Sequence, residues 1–224
     1  MKSLFIKMLQ MQPATSRLKI IYLVLTIFAV GLVGCGSVVD LSGVTKEKPI
    51  KPYDNVLVLF IDRGPELTEF SNATYDTVIR KRFNNLNSIK ERGTVEDRFI
   101  WKSGIEHVSI SGASDLFGAG EDIDYKTFIA AAKKKGSQAI LLINMNAYTS
   151  REAKTISQNN VNYKQVVTST ISYGSYLSYL IDLNTNKPVW MGKSVVKDAG
   201  SFNGITKYFA KNIIAELNKE GFIN

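Results

Sequence analysis

The run "NVLVLFID", Asn55–Asp62, places six apolar residues in a row between two polar ones. Six residues suit a strand and are too few for a free-standing helix. Successive side chains of a strand point to opposite faces, so an unbroken apolar run needs cover on both. That demand selects a sheet with helices packed on it. Arg63-Gly64-Pro65 ends the run, and "QAILLINMNAY", Gln138 to Tyr148, predicts a second strand of the same kind.

The rest of the chain supplies the cover. Ser71 or Asn72 can cap a helix in which Tyr75, Val78, Ile79, Phe83, Leu86 and Ile89 share one face, with Gly93 as its stop. Val95 to Trp101 and Ile105 to Ile110 are short apolar stretches expected as strands. Asp124 caps "YKTFIAAAKKKG", a helix expected to end at Gly136. Two long strands, Tyr163 to Leu183 and Pro188 to Asp198, are joined by the turn Asn184-Thr185-Asn186-Lys187. A last helix carries Ile205, Tyr208, Phe209, Ile213 and Leu217 and ends at Gly221. The expected order is β-α-β-β-α-β-β-β-α. It describes a mixed α/β domain of two or three layers, with a mixed sheet and about three helices.

Upstream of this domain the chain changes character. Lys2, Lys7, Arg17 and Lys19 precede an uncharged stretch of fifteen residues from Ile20 to Gly34. This is the length of an export-signal core and short of a spanning helix. It ends in Leu32-Val33-Gly34-Cys35, and Cys35 is the only cysteine. These four residues resemble the lipobox of bacterial lipoprotein signal peptides. The resemblance implies a diacylglyceryl group on the Cys35 thiol, cleavage between Gly34 and Cys35, and acylation of the new amine. Two or three acyl chains anchor stably where one is marginal. Gly36, rather than Asp, follows the cysteine, which in enteric-type sorting points to the outer membrane, facing the periplasm.

The expected organisation is therefore a signal peptide at 1–34, a lipidated N-terminus and tether at 35–54, and one α/β periplasmic domain at 55–224. The tether, with Pro49 and Pro52, would reach about 25 Å as a coil. The formal net charge of +8 falls to +4 without the leader, and nucleic-acid binding is not read from it. The mature chain has no free thiol, so its core alone must stabilise it.

The order of lipobox, proline-containing tether, "NVLVLFID", capped helix, "AILLINMNAY", the hairpin "SYLIDLNTNKPVWMGKS" and a terminal amphipathic helix resembles a group of small envelope lipoproteins. The group includes the curli-secretion lipoprotein, the Pel-polysaccharide lipoprotein and the outer-membrane activators of penicillin-binding proteins. Related lipoproteins carry a similar aspartate–turn–tryptophan hairpin, matched here by Asp182 and Trp190. The resemblance implies a compact α/β domain that acts by assembly or contact rather than catalysis. The curli pore's membrane-spanning insertions have no clear counterpart in the sequence.

Candidate chemistry is sparse. His107, the only histidine, alternates with Ile105, Ser109 and Ser111, but no G-x-S-x-G nucleophile motif accompanies it. No catalytic residue is assigned. Glu121, Asp122 and Asp124 could hold a hard cation or favour the N-terminus of a helix, and the second reading is preferred. No metal or other cofactor is assigned. Gly118 to Gly120 reads as a hinge or tight turn rather than a phosphate loop. Asp62 and Arg63 stand where the first strand ends, the usual ligand edge of an α/β sheet. Arg80-Lys81-Arg82 and Lys133-Lys134-Lys135 face either solvent or an anionic lipid or glycan. Tyr173 and Tyr179 share a face of their strand and Tyr176 lies on the other. Together with Trp190 they form either a partner surface or ordinary sheet packing.

The expected function is a lipid-anchored, non-enzymatic assembly or accessory factor of an envelope complex. Its partners would be the membrane, through Cys35, and an envelope protein or copies of itself. The alternatives are an envelope-glycan hydrolase and a ring-forming secretion component.

Overall fold

A computed structural model describes residues 38–67, 69–83, 86–106, 109–118, 121–158, 164–197 and 200–224. The signal peptide, Gly34, Cys35, His107, Ala119, Gly120 and Tyr163 lie outside the described residues. Residues 37–224 form one compact unit.

The unit is a mixed α/β domain. Its strands are β1 (Val38–Thr45), β2 (Asn55–Asp62), β3 (Ser109–Gly112), β4 (Ala139–Gln158), β5 (Lys164–Asp182) and β6 (Lys187–Lys197). They form one six-stranded sheet in the order β1-β6-β5-β4-β2-β3. β2 pairs in parallel with β3 and β4, and the other neighbours are antiparallel. The first helical segment, α1, begins as Asn72–Thr74, passes through a π-helical turn at Tyr75–Ile79, and ends as Arg80–Phe83. The others are α2 (Leu86–Glu106), α3 (Tyr125–Lys134) and α4 (Phe202–Lys219).

The apolar run of β2 does what its pattern demands. Val56, Val58 and Phe60 enter a core under α2 and α4, with Val95, Phe99, Phe209 and Ile213. Leu57, Leu59 and Ile61 enter a second core under α1 and α3, with Tyr75, Ile79 and Phe128. β4 divides likewise, Leu141 and Ile143 to the first core, Ile140 and Leu142 to the second. The architecture is three-layered, helices on both faces of the sheet.

Several helix ends follow their sequence signals. Ser71 caps α1 by accepting from the Thr74 N–H at 3.3 Å. Asp124 caps α3 by accepting from the Thr127 N–H at 2.7 Å, and Gly136 leaves the helix with φ +85°. Ser201 caps α4, and Gly221 follows its end with φ +77°.

Three expectations are corrected. Val95 to Trp101 is not a strand but the middle of α2, which runs through Gly93. Its inward face is Arg92, Val95, Glu96 and Phe99, so two charged residues break the apolar periodicity. Ile105 also belongs to α2; among the described residues of the next expected strand only Ser109 and Ile110 are extended, and β3 goes on to Gly112. Finally, Val38–Thr45, expected within the tether, is an edge strand paired with β6 from Val38↔Lys197 to Thr45↔Trp190. The sheet therefore starts well before residue 55. Trp190 explains the hold on β1. Its indole lies over Gly43 and Gly192, which face each other across the β1–β6 pair. A Cβ at Gly43 would stand 2.9 Å from the indole Nε1, and one at Gly192 would overlap the ring.

Candidate functional site

Polar residues gather at the carboxyl edge of the parallel strands, beneath α2 and at the far end of the β4–β5 hairpin.

At the carboxyl edge, Asp62 and Arg63 lie beside each other, Oδ1 to Nε at 3.7 Å, with the Arg63 side chain largely in solvent. Arg63 takes φ +52° and its N–H donates to the Met145 carbonyl at 2.7 Å. The buried Asn144 organises the loop that follows. Its Oδ1 accepts from the Gly64 N–H at 2.8 Å, and its Nδ2 donates to the carbonyls of Gly64 at 2.7 Å and Pro65 at 2.8 Å. Tyr179 continues the brace, its hydroxyl accepting from the Leu67 N–H at 3.0 Å. The Arg82 guanidinium donates to the Asp62 carbonyl at 3.2 Å. These groups are spent on fixing residues 62–67, as buried polar groups must be.

Beneath α2 lies a charged cluster that sequence reasoning missed. Glu96 is 1% exposed and Arg92 3%. One Glu96 carboxylate oxygen, Oε2, accepts from the Ser114 N–H at 2.8 Å and from its hydroxyl at 2.5 Å. The Arg92 guanidinium donates to the Phe83 carbonyl at 2.8 Å and lies 3.9 Å over the Phe83 ring. Burial raises the Glu96 carboxyl to about 7, against the opposing pull of Ser114 and Arg92. A group poised near neutrality invites a catalytic reading. Here both charges are enclosed and their contacts tie α2 to α1 and to the 3-10 turn Ala113–Asp115, which is a structural use.

The other candidates of the sequence resolve as follows. Asp124 is the cap of α3, while Asp122 takes the Arg80 guanidinium side-on, with Nε at 2.5 Å and Nη2 at 2.6 Å. The acids are thus divided between capping and an ion pair. The Glu121 N–H donates to the Gly118 carbonyl at 3.3 Å, and the expected turn at Gly118 to Gly120 falls mainly on Ala119 and Gly120, outside the described residues. Asp182 is a turn residue. Oδ1 accepts from the N–H groups of Asn184 and Thr185 at 2.9 and 2.7 Å, and Oδ2 accepts from the Tyr53 hydroxyl at 2.9 Å. Burial opposes its ionisation, but these bonds outweigh it and hold the carboxylate below its usual range.

The tyrosines are corrected in part. Tyr176, Tyr179 and Trp190 are buried and cannot present a surface. Tyr176 stacks on Phe209 at 4.2 Å in the first core, while Tyr179 faces the second, so their opposite facing holds. Tyr173 is half-buried.

The strand that carries these tyrosines nevertheless leads to an open surface. β2 pairs with β4 only as far as Met145, and β6 pairs with β5 only from Tyr173 onward. From Ser150↔Ser172 to Gln158↔Lys164 the two strands pair with each other alone. This two-stranded ribbon runs about 30 Å past the sheet at the usual rise per residue. Thr149, Ser150, Arg151, Glu152, Lys154, Thr168, Ser169 and Thr170 are exposed, on both faces of the ribbon. An isolated two-stranded ribbon is marginal in water, and its outer edges are templates for further pairing. Among the described residues no helix is long and apolar enough to cross a membrane, which says nothing about strands.

No family model matches the chain, and no curated protein matches it. Among solved structures it is similar to PelC dodecamers from Paraburkholderia phytofirmans in two crystal forms. These are 7% and 9% identical, with a TM-score of 0.41 each, covering 78% and 84% of this chain and 94% and 99% of theirs. It is also similar to lipoprotein GNA1162 from Neisseria meningitidis, 12% identical with a TM-score of 0.35, covering 74% of this chain and 98% of the other. PelC is a member of the group that the sequence resembles.

Proposed function

We propose that this chain is a lipid-anchored accessory factor of the bacterial envelope that works by contact rather than by catalysis, with the β4–β5 ribbon as its contact element. Cys35 is the lipidated residue, and the outer membrane, facing the periplasm, is the address that Gly36 favours. The observation that carries the reading is the ribbon, two strands paired only with each other and exposed on both faces. Such an element gains its missing pairs by adding a strand from another chain or from a second copy. The carboxyl edge of the sheet supports the same reading, because its polar groups bind its own loop.

The test is excision of the ribbon. Residues 151–171 are removed and Ser150 is joined to Ser172 by Asn-Gly, which suits a two-residue hairpin turn. The shortened protein should melt within a few degrees of the parent, because both cores stay intact. It should lose the cross-linked species that the parent forms in envelopes. Retention of those species by a folded, shortened protein would refute the ribbon as the contact element.

A further inference from the structure

The surface between α2 and α4 has a character that the contact reading does not use. Trp101 is 56% exposed, the largest exposed apolar side chain among the described residues. It lines a groove of about 250 Å³ with Arg98, Lys102, Lys207, Tyr208 and Lys211. Arg98 and Lys102 stand one turn apart on α2, and Lys207 and Lys211 one turn apart on α4. Like charges at that spacing repel, so α4 carries an electrostatic cost on the face that meets α2 here. No acid is among the six lining residues; Asp97 belongs to the adjoining surface, with Thr94 and Asn203. Arg98 is held in place by Asn203, whose Oδ1 accepts from Nε at 3.1 Å and Nη2 at 2.7 Å. A neutral partner orients the guanidinium without cancelling its charge.

We infer that this groove binds an acidic sugar unit of a glycan chain. Three cations, Arg98, Lys207 and Lys211, converging on one hollow call for an anion, and charge-assisted bonds to carboxylate are the strong ones available. Trp101 and Tyr208 add flat apolar faces with polar edges, against which the C–H face of a sugar ring packs. The volume lies at or just below the small end of ligand pockets, so the hollow admits a ring rather than a folded partner. A nucleotide would satisfy the same charges and stack on the same indole. The choice of glycan over nucleic acid rests on the envelope address proposed above; binding itself does not.

The test uses the full chain in detergent and reads tryptophan emission. Trp190 is buried, so a ligand-dependent change reports Trp101. Titration with oligogalacturonate should shift the emission saturably, and W101F should lose the shift. K207E/K211E, at two exposed positions, should bind about tenfold more weakly, as expected for reversing charges at a binding surface. The parent's binding should weaken with salt. Neutral dextran should cause no shift. Equal response to dextran, no response to oligogalacturonate, or unchanged affinity in K207E/K211E would overturn the proposal. A response to a thymidine oligonucleotide or to glycerophosphoglycerol in place of oligogalacturonate would also overturn it, in favour of nucleic acid or a lipid headgroup. The experiment is run on purified protein, so its failure leaves the anchor and the ribbon to their own tests.

Discussion

Burial raises the Glu96 carboxyl from its ordinary 4.5 to about 7, and this sets a pH dependence of stability. Between those values the unfolded chain releases the proton and the folded chain keeps it. Stability should therefore fall as pH rises from about 4.5 to about 7 and then level off. Asp124 and Asp182 act in the opposite sense at lower pH. The Thr127 N–H bond holds Asp124 below its ordinary 3.8, and the turn bonds hold Asp182 below it, so their contributions are lost as acid protonates them. Urea unfolding followed across pH should show the decline in the parent and its absence in E96Q; a decline that persists in E96Q would contradict the assignment. Gly192 has a different consequence. Its Cβ would enter the Trp190 ring, so Gly192→Ala should cost about 1–3 kcal/mol in urea unfolding, the range for overpacking a core. The sequence announces some of these residues better than others. Asp124 and Asp182 stand beside a helix start and a turn, where short acids have a known task. Asn144 stands in an apolar run and Glu96 in a stretch expected as a strand, and only the packing of a distant loop and of Ser114 reveals their work.

Elements were legible where one periodicity ruled. β2 and β4 read directly because unbroken apolar runs of strand length leave no other use. α2 did not, because its buried face includes Arg92 and Glu96, and Gly93 looks like a stop. That glycine gives a clean test. A Cβ there meets nothing within 4 Å, so Gly93→Ala should stabilise the protein by about 0.5–1 kcal/mol, the helix-interior difference between the two residues. Destabilisation would argue against a continuous helix. β1 was hidden for another reason. Val38–Thr45 has a weak strand pattern of its own and takes its place through pairing with β6 and the indole across Gly43. The ribbon was foreseen as parts of two long strands, but its projection was not. Where one strand outruns its neighbours is a property of the sheet, not of the strand.

As proposed, the whole molecule is a domain with an exposed arm, held to the membrane by a fatty anchor. Labelled palmitate should enter the protein in cells and be lost in C35A, while the C35A protein should leave the membrane fraction. Retained label in C35A would remove the anchor from the account. The most direct measurement of the central claim is photo-cross-linking in intact envelopes from a reactive residue at Glu152, on the ribbon, compared with one at Lys134, exposed at the end of α3. A defined protein adduct, with a second copy or one envelope partner, is predicted from Glu152 and none from Lys134. Adducts from Lys134 alone, or from neither position, would contradict contact through the ribbon.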